Sequence, residues 1–239
     1  MSAPVFLVPE QSLTTGVVRV SGEEGRHAAT VKRLREGEVV DLCDGVGARA
    51  TGTVVATGKD WIDVTVSTVV VEPEPVVTFV AIQAIAKGDR ADLALELLTE
   101  VGVSRIVPWQ AAHSIAKWDS DKSATKWNRV AREASKQSRR SRVPLVSDVA
   151  STNAVCDMIG AAPVTIVLHE SAETTLTSVD LPTSGEVLIV IGPEGGISPD
   201  ELSAFAHAGA HIVRMGSTVM RTSTAGGVAI GILASKTWN

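Results

Sequence analysis

The chain has 239 residues, a net charge of -5 and a hydrophobic content of 44%. That length permits one large domain or two small ones, and that apolar content supports a packed core. The negative balance excludes a global pull towards nucleic acid, so any polyanion contact has to come from a local basic patch. Aromatic residues make up only 3%, with no tyrosine, so the core is expected to be aliphatic. No apolar run approaches the length of a membrane span. Met1-Ser2-Ala3-Pro4 lacks a charged start and a long apolar stretch, and no signal peptide is expected. Cys43 and Cys156 stand alone and far apart, which suits a reduced compartment. A cytoplasmic protein with no membrane partner is the expectation.

Residues 1–72 read as β-rich. Short runs at 16–20, 39–42, 50–55 and 61–66 are rich in β-branched residues, and glycine turns at 44–47 and 57–60 separate them. One helix is predicted over 23–35, with Ala28, Val31, Leu34 and Arg35 at helical spacing. Short strands at close intervals suggest a small β-barrel. Glu72-Pro73-Glu74-Pro75 then reads as a linker, because two prolines flanking an acid do not continue a sheet interior.

After the linker the rhythm changes. Residues 76–82 predict a strand, and 89–101 a helix with Leu93, Leu97 and Val101 on one stripe and Gly102 as its stop. Strands follow at 105–107 and 164–168, with a long helix at 122–140 between them. Alternation of strand and helix argues for a mostly parallel sheet, an α/β fold. A buried strand is predicted at 187–191, followed by Gly192-Pro193-Glu194-Gly195-Gly196. Ser198, Pro199 and Glu201 form a capping-box signature for the next helix. A strand at 211–214, a polar loop at 215–224 and a small-residue helix at 225–236 end the chain. Two polar loops therefore follow strands of one sheet, where open α/β sheets build ligand sites.

The helix at 122–140 is basic on one side. Lys126, Arg129, Arg132, Lys136, Arg139 and Arg140 fall on one face, and Trp127, Val130, Ala131 and Ala134 on the other. Arg142 extends the patch. Such a face suits a phosphate backbone, and it equally suits a solvated helix surface without a partner.

Gly192-Pro193-Glu194-Gly195-Gly196 is neither a Walker loop nor a dinucleotide fingerprint. With Met220-Arg221-Thr222-Ser223-Thr224-Ala225 downstream, it resembles the RsmE family, the 16S ribosomal RNA uracil-N3 methyltransferases of the SPOUT superfamily. Glu133-Ala134-Ser135-Lys136-Gln137-Ser138-Arg139-Arg140, with Val143-Pro144, resembles that family's Glu-Ala-x-x-Gln-x-x-Arg segment. Residues 22–35 with Asp44-Gly45 resemble its PUA-like RNA-binding barrel.

The resemblance implies a PUA-like β-barrel over residues 1–72 and a SPOUT methyltransferase domain over 73–239, with a C-terminal trefoil knot. Topology rules alone argue against a knot. It implies S-adenosylmethionine as cofactor, held by Leu168, His169 and Glu170, by Ile191, Gly192, Pro193, Glu194 and Gly196, and by Met215, Gly216, Ser217, Val219, Met220, Thr222, Ser223 and Ala225. Glu194 reads equally as a ligand to the cofactor's ribose or amine and as a loop carboxylate in water. Arg221 is the candidate cation beside the reacting base, or else an arginine that binds loop carbonyls. Arg26, Arg33, Arg129, Arg132, Lys136, Arg139, Arg140 and Arg142 would hold 16S rRNA of the small ribosomal subunit.

A homodimer is implied too. Gly226, Gly227, Ala229, Gly231 and Ala234 would permit helices to approach closely across it or within one chain. The chain departs from the family where many members carry Glu in place of Ser223, which removes a carboxylate base there. It also has Pro4-Val5-Phe6 where members often place an arginine before the first aromatic. No His, Cys, Asp and Glu grouping has metal-ligand spacing, so no metal is expected. Other readings are a ribose 2′-O SPOUT enzyme, a non-catalytic RNA-binding protein and a phosphate-binding hydrolase. For the last, no nucleophile–base pair is evident.

Overall fold

The computed structural model describes residues 3–237. Residues 1, 2, 238 and 239, which fall within the two expected domains, lie outside the described residues. The chain forms two compact units: residues up to Glu74 with Ser135–Val143, and Pro75–Ala134 with the chain from Pro144 onward. A division at residue 72 does not anticipate the return of 135–143 to the first unit.

In the first unit, β1 (Val5–Leu7), β2 (Gly16–Val20), β3 (Val39–Cys43), β4 (Ala48–Thr57), β5 (Ile62–Val66) and β6 (Val70–Val71) make one sheet. Its order is β1-β3-β4-β5-β2, with β6 paired to β4. Burial alternates along β4 and β5, as expected for strands with one wet face. The inward residues Phe6, Val18, Val20, Val40, Leu42, Val54, Ile62, Val64 and Val66 form its core.

The helix expected over 23–35 is shorter. α1 (Gly22–Arg26) passes into a single π turn, His27–Val31. The Lys32 N–H donates to the His27 carbonyl, five residues back, at 2.8 Å. That wider turn rotates the apolar stripe, so Ala28 is buried while Val31 is exposed. Arg33 then adopts a left-handed backbone, φ 55°.

The second unit holds β7 (Val77–Ala84), α2 (Asp89–Glu100), β8 (Arg105–Trp109), most of α3 (Ser120–Gln137), β9 (Leu145–Val146), α4 (Thr152–Ala161), β10 (Val164–Leu168), β11 (Gly185–Ile191), α5 (Pro199–His207), β12 (His211–Val213) and α6 (Thr222–Ala234). Its six strands run in the order β12-β10-β11-β7-β8-β9, all parallel. Residues on both faces of β7 and β11 are buried, the pattern of a parallel sheet covered by helices. One side packs Leu95, Leu98, Ile189, Ile191, Ile230 and Leu233, and the other Val107, Trp109, Val155, Val190 and Phe205.

Three helices differ from expectation. α6 begins at Thr222, inside the stretch expected as loop, and ends at Ala234. On α2 the buried stripe is Ala91, Ala94, Leu95 and Leu98, while Leu93 is exposed. The partner decides this: α6 offers Gly226 and Gly227, and Leu97 and Leu98 pack over them. A Cβ on Gly226 would lie 3.0 Å from Leu98 Cδ2 and 3.1 Å from Ile191 Cγ1. These glycines thus serve packing within the chain. α3 ends at Gln137, before Arg139. Arg139 takes φ 58°, and the Arg140 N–H reaches back to the Ser135 carbonyl at 2.9 Å, a left-handed helix stop. Replacing Gly226 with Val overpacks this contact. The variant should lose about 1–3 kcal/mol of stability, read as a lower Tm in thermal denaturation.

Candidate functional site

The strands β12, β10 and β11 are neighbours, and the loops leaving their carboxyl ends surround one cavity of about 520 Å³. From β11 come Ile191 through Ile197, from β10 Leu168, His169 and Glu170, and from beyond β12 Arg214, Met215, Gly216, Thr218, Val219 and Met220, with Arg221, Thr222 and Ala225 completing the wall. The volume lies within the range typical of small-molecule sites.

The first loop is held from several sides. The Gly196 N–H donates to the Pro193 carbonyl at 2.9 Å, closing a turn in which Gly196 has φ 76°, a conformation that suits glycine. His113 Nδ1 lies 3.1 Å and 3.2 Å from the Gly195 and Gly196 carbonyls. The Thr222 hydroxyl, in the first turn of α6, donates to the Gly192 carbonyl at 2.6 Å. Ser198 and Glu201 form the expected capping box.

Glu201 does more than cap. It is buried, and it accepts from the Ala112 N–H at 2.8 Å, the Thr152 hydroxyl at 3.1 Å, the Ser198 N–H at 3.0 Å and the Ser198 hydroxyl at 2.9 Å. Burial works against its charge, but these bonds outweigh burial and hold its carboxyl below the ordinary range. It therefore joins the start of α4 and the turn before α5 to the chain leaving β8.

On the opposite wall, the Ser171 N–H donates to His169 Nδ1 at 3.3 Å, and the Ser171 hydroxyl lies 2.9 Å from the same nitrogen. Accepting at Nδ1 places the neutral ring's proton on Nε2. At the rim, Arg90 of α2 pairs with Glu194 at 3.8 Å. Arg214 and Arg221 are exposed at the same cavity. Arg221 makes no side-chain hydrogen bond or ion pair with a described residue, so it is not tied to loop carbonyls.

Residues 72–234 match the RNA methyltransferase domain family, and residues 20–67 match the RNA methyltransferase PUA domain family. The ribosomal RNA small subunit methyltransferase E of Mycobacterium tuberculosis (strain CDC 1551 / Oshkosh) is 42% identical over 238 residues, spanning 97% of this chain and 91% of that protein. The chain belongs to the ribosomal RNA small subunit methyltransferase E family. The member from Bacillus subtilis (strain 168) is 29% identical, over 98% of this chain and 95% of its own. A crystal structure of the Neisseria gonorrhoeae member, bound to S-adenosyl methionine, superposes with a TM-score of 0.88 at 26% identity, covering 98% of each chain. The fold is thus the α/β SPOUT type with a PUA-like N-terminal domain.

Against that family background, the structure gathers most of the residues assigned from the sequence. Leu168, His169, Glu170, Ile191, Gly192, Pro193, Glu194, Gly196, Met215, Gly216, Val219, Met220, Thr222 and Ala225 line the cavity, as does Arg221. Ser217 and Ser223 do not. Ser223 is buried in the first turn of α6. Sequence reasoning missed Arg90, Gly195, Ile197, Arg214 and Thr218. Gly195, Ile197, Arg214 and Thr218 are direct neighbours of assigned residues. Arg90 is remote in sequence, and only the sheet order brings the start of α2 to the site.

The basic residues separate into two groups. Arg26, Arg33, Arg129 and Arg132 are exposed. Lys136 is buried and pairs with Glu24 at 3.0 Å. Arg139 donates to the Ala3 carbonyl at 2.6 Å and lies 3.5 Å from Asp41. Arg142 donates to the carbonyls of Val46 and Glu72. Burial pushes the Arg140 guanidinium down to about 10, so it stays charged at neutral pH. Lys136, Arg139 and Arg142 are thus engaged inside the first unit rather than presented on one free helical face.

Among the described residues there is no group of three or more His, Cys, Asp or Glu side chains able to hold a metal ion, and no helix is long and apolar enough to cross a membrane. Burial pushes the Cys43 thiol up to about 11 and also raises that of Cys156, so neither is a ready thiolate at neutral pH.

Glu201→Ala should cost about 2–3 kcal/mol, because it removes charge-assisted bonds and strands their donors. A depressed carboxyl contributes stability that is complete above the ordinary carboxylate range and fades as pH falls through and below it. Urea titrations at pH 7 and pH 3 should therefore show the gap between wild type and variant narrowing in acid.

Proposed function

We propose that the chain transfers a methyl group from S-adenosylmethionine to N3 of a uridine in the 16S rRNA of the small ribosomal subunit, breaking the sulfur–methyl bond to leave S-adenosylhomocysteine and releasing the N3 proton to solvent. The observation that carries this reading is the convergence of the 191–197 loop, the β10 end and the 214–222 loop on one cavity. The lining suits the cofactor. Leu168, Ile191, Ile197, Met215 and Met220 offer apolar faces for adenine, and the loop main chain offers donors and acceptors. The names of the relatives support the same substrate, and the S-adenosyl methionine bound to the Neisseria protein supports the same cofactor. When bound, S-adenosylmethionine supplies an electrophilic methyl on a positively charged sulfur.

The chain's own residues then do three things. The loops fix the position of the donor, and positioning is the largest contribution available for an in-line transfer. Arg221, with an unengaged guanidinium at the cavity, stabilises the negative charge that develops on uracil as its N3 proton leaves. His169 accepts from the Ser171 N–H at Nδ1, so that nitrogen is not free to take the N3 proton. Ser223 takes no part, because it is buried away from the cavity.

We assign RNA capture to residues 1–72 together with the exposed arginines of α3, and methyl transfer to the rest of 73–239. The exposed Arg26, Arg33, Arg129 and Arg132 serve as phosphate contacts. The cofactor loops form part of a trefoil knot. Its support is the path of the chain: it leaves the outermost strand β12 and returns past β10, so that Thr222 bonds to Gly192 beside β11. The working form is a homodimer built on α6, whose Val228 remains exposed once Gly226 and Gly227 are covered by α2.

Mass mapping of 16S rRNA from cells lacking the protein should show one uridine without its N3 methyl, and restoration of the protein should return it. Arg221→Ala should lower kcat about a hundredfold with little change in Tm. A methyl on a ribose 2′ oxygen would instead favour the 2′-O reading.

The two groups of basic residues predict different phenotypes. Charge reversal at Arg129 and Arg132 should weaken RNA binding and reduce its salt slope by about 1 for each phosphate no longer neutralised. Lys136→Met should act mainly on stability, costing about 3 kcal/mol because the half-buried Glu24 loses its Lys136 partner. Filter binding over a salt series, beside thermal denaturation, separates the two.

A further inference from the structure

Gln83 is an anomaly in the central strand. β7 is apolar from Phe79 through Ile82 and again at Ala84, yet Gln83 is buried at 1% exposure. It lies opposite Ile191, the residue before the first cofactor loop. Its Nε2 donates to the Ala84 carbonyl and to the Thr222 hydroxyl oxygen, both at 3.1 Å. A carbonyl only accepts, so the contact with Ala84 identifies the nitrogen. The Gln83 Oε1 is buried and has no hydrogen-bond partner. A buried amide with an unmet acceptor is a cost to the fold, and an apolar residue of the same size would avoid it.

The arrangement has a directional consequence. A hydroxyl carries one hydrogen. Because Gln83 donates into Thr222 Oγ1, that oxygen's own hydrogen is directed outward, to the Gly192 carbonyl at 2.6 Å. The amide thus selects one rotor of the Thr222 hydroxyl. The Thr222 hydroxyl in turn fixes the plane of the peptide after Gly192 and locks the loop after β11 to the loop that enters α6.

We propose that Gln83 is a positioning residue for cofactor binding, acting through the Thr222 hydroxyl on the Gly192 carbonyl. It touches neither cofactor nor RNA. It sets the separation and orientation of the two loops that form the cleft. The inference rests on the reading of this cavity as the S-adenosylmethionine site.

The test is calorimetric titration of the full-length protein with S-adenosylmethionine, with steady-state KM values for cofactor and for RNA. The variants are Gln83→Met, Thr222→Val, Thr222→Ser and the Gln83→Met, Thr222→Val double variant. Gln83→Met and Thr222→Val should each raise the Kd for S-adenosylmethionine about tenfold, the value of roughly one hydrogen bond. KM for RNA should stay unchanged. Thr222→Ser keeps the hydroxyl and should bind within about twofold of wild type. The double variant should be no weaker than Thr222→Val alone, because Gln83 works only through that hydroxyl.

Wild-type affinity in Gln83→Met, or additive losses in the double variant, would overturn the proposal while leaving the cofactor assignment intact. A wild-type protein that binds no S-adenosylmethionine would overturn both. Should Gln83→Met fail to fold, Gln83→Leu takes its place with the same outcomes, and equal affinity in Thr222→Val and Thr222→Ser also overturns the proposal.

Discussion

A single hydroxyl makes one site out of two distant loops. The loop after β11 and the loop after β12 leave strands that are not neighbours, because β10 lies between them. Each loop is polar and glycine-containing, and alone each would be only a turn. The Thr222 hydroxyl joins the first turn of α6 to the Gly192 carbonyl, and the β10 end closes the gap with Leu168, His169 and Glu170. That bond is a direct tie between the two loops at the cavity. It sets the width of the cleft, and it places Arg221 at its edge.

The surrounding structure serves the same constraint. α6 has to start beside Gly192 and still cover the sheet, so it must lie close to α2. Gly226 and Gly227 make that approach possible, since a side chain at either position would meet Leu98, Leu97 or Ile191. On the other side of the loop, Glu201 gathers four donors from three segments. The loop between these two anchors needs little side-chain chemistry of its own, which fits a cofactor bound largely by main chain.

How much of this was legible in the sequence depended on how local the cause was. Five of the six strands of the second unit are legible because β-branched apolar runs have few alternatives, while the two-residue β9 carries no such run. The capping box at Ser198 was legible because its partners are three residues apart. The α2 stripe is legible only in part: Leu97 and Val101 pack inward, but Leu93 is exposed, because the buried face is chosen by the glycines of α6, over a hundred residues later. The helix after Gly22 is shorter than its spacing suggests, since nothing local signals a π turn. Arg90 is not legible at the site because only the sheet order brings α2 to the cavity. The basic face of α3 was seen in the sequence, but its use was not. Spacing shows where a cation lies on a helix, and it does not show that Glu24 will meet Lys136 or that Arg142 will be drawn to the carbonyls of Val46 and Glu72.

The central claim is that these loops form the cradle for S-adenosylmethionine. A crystal structure of the protein soaked with that compound tests it most directly. The account predicts density for the cofactor between residues 191–197 and 214–222, with Leu168 on the third side and the Thr222 to Gly192 bond intact. Density elsewhere on the molecule, or an empty cleft at saturating concentration, would contradict it.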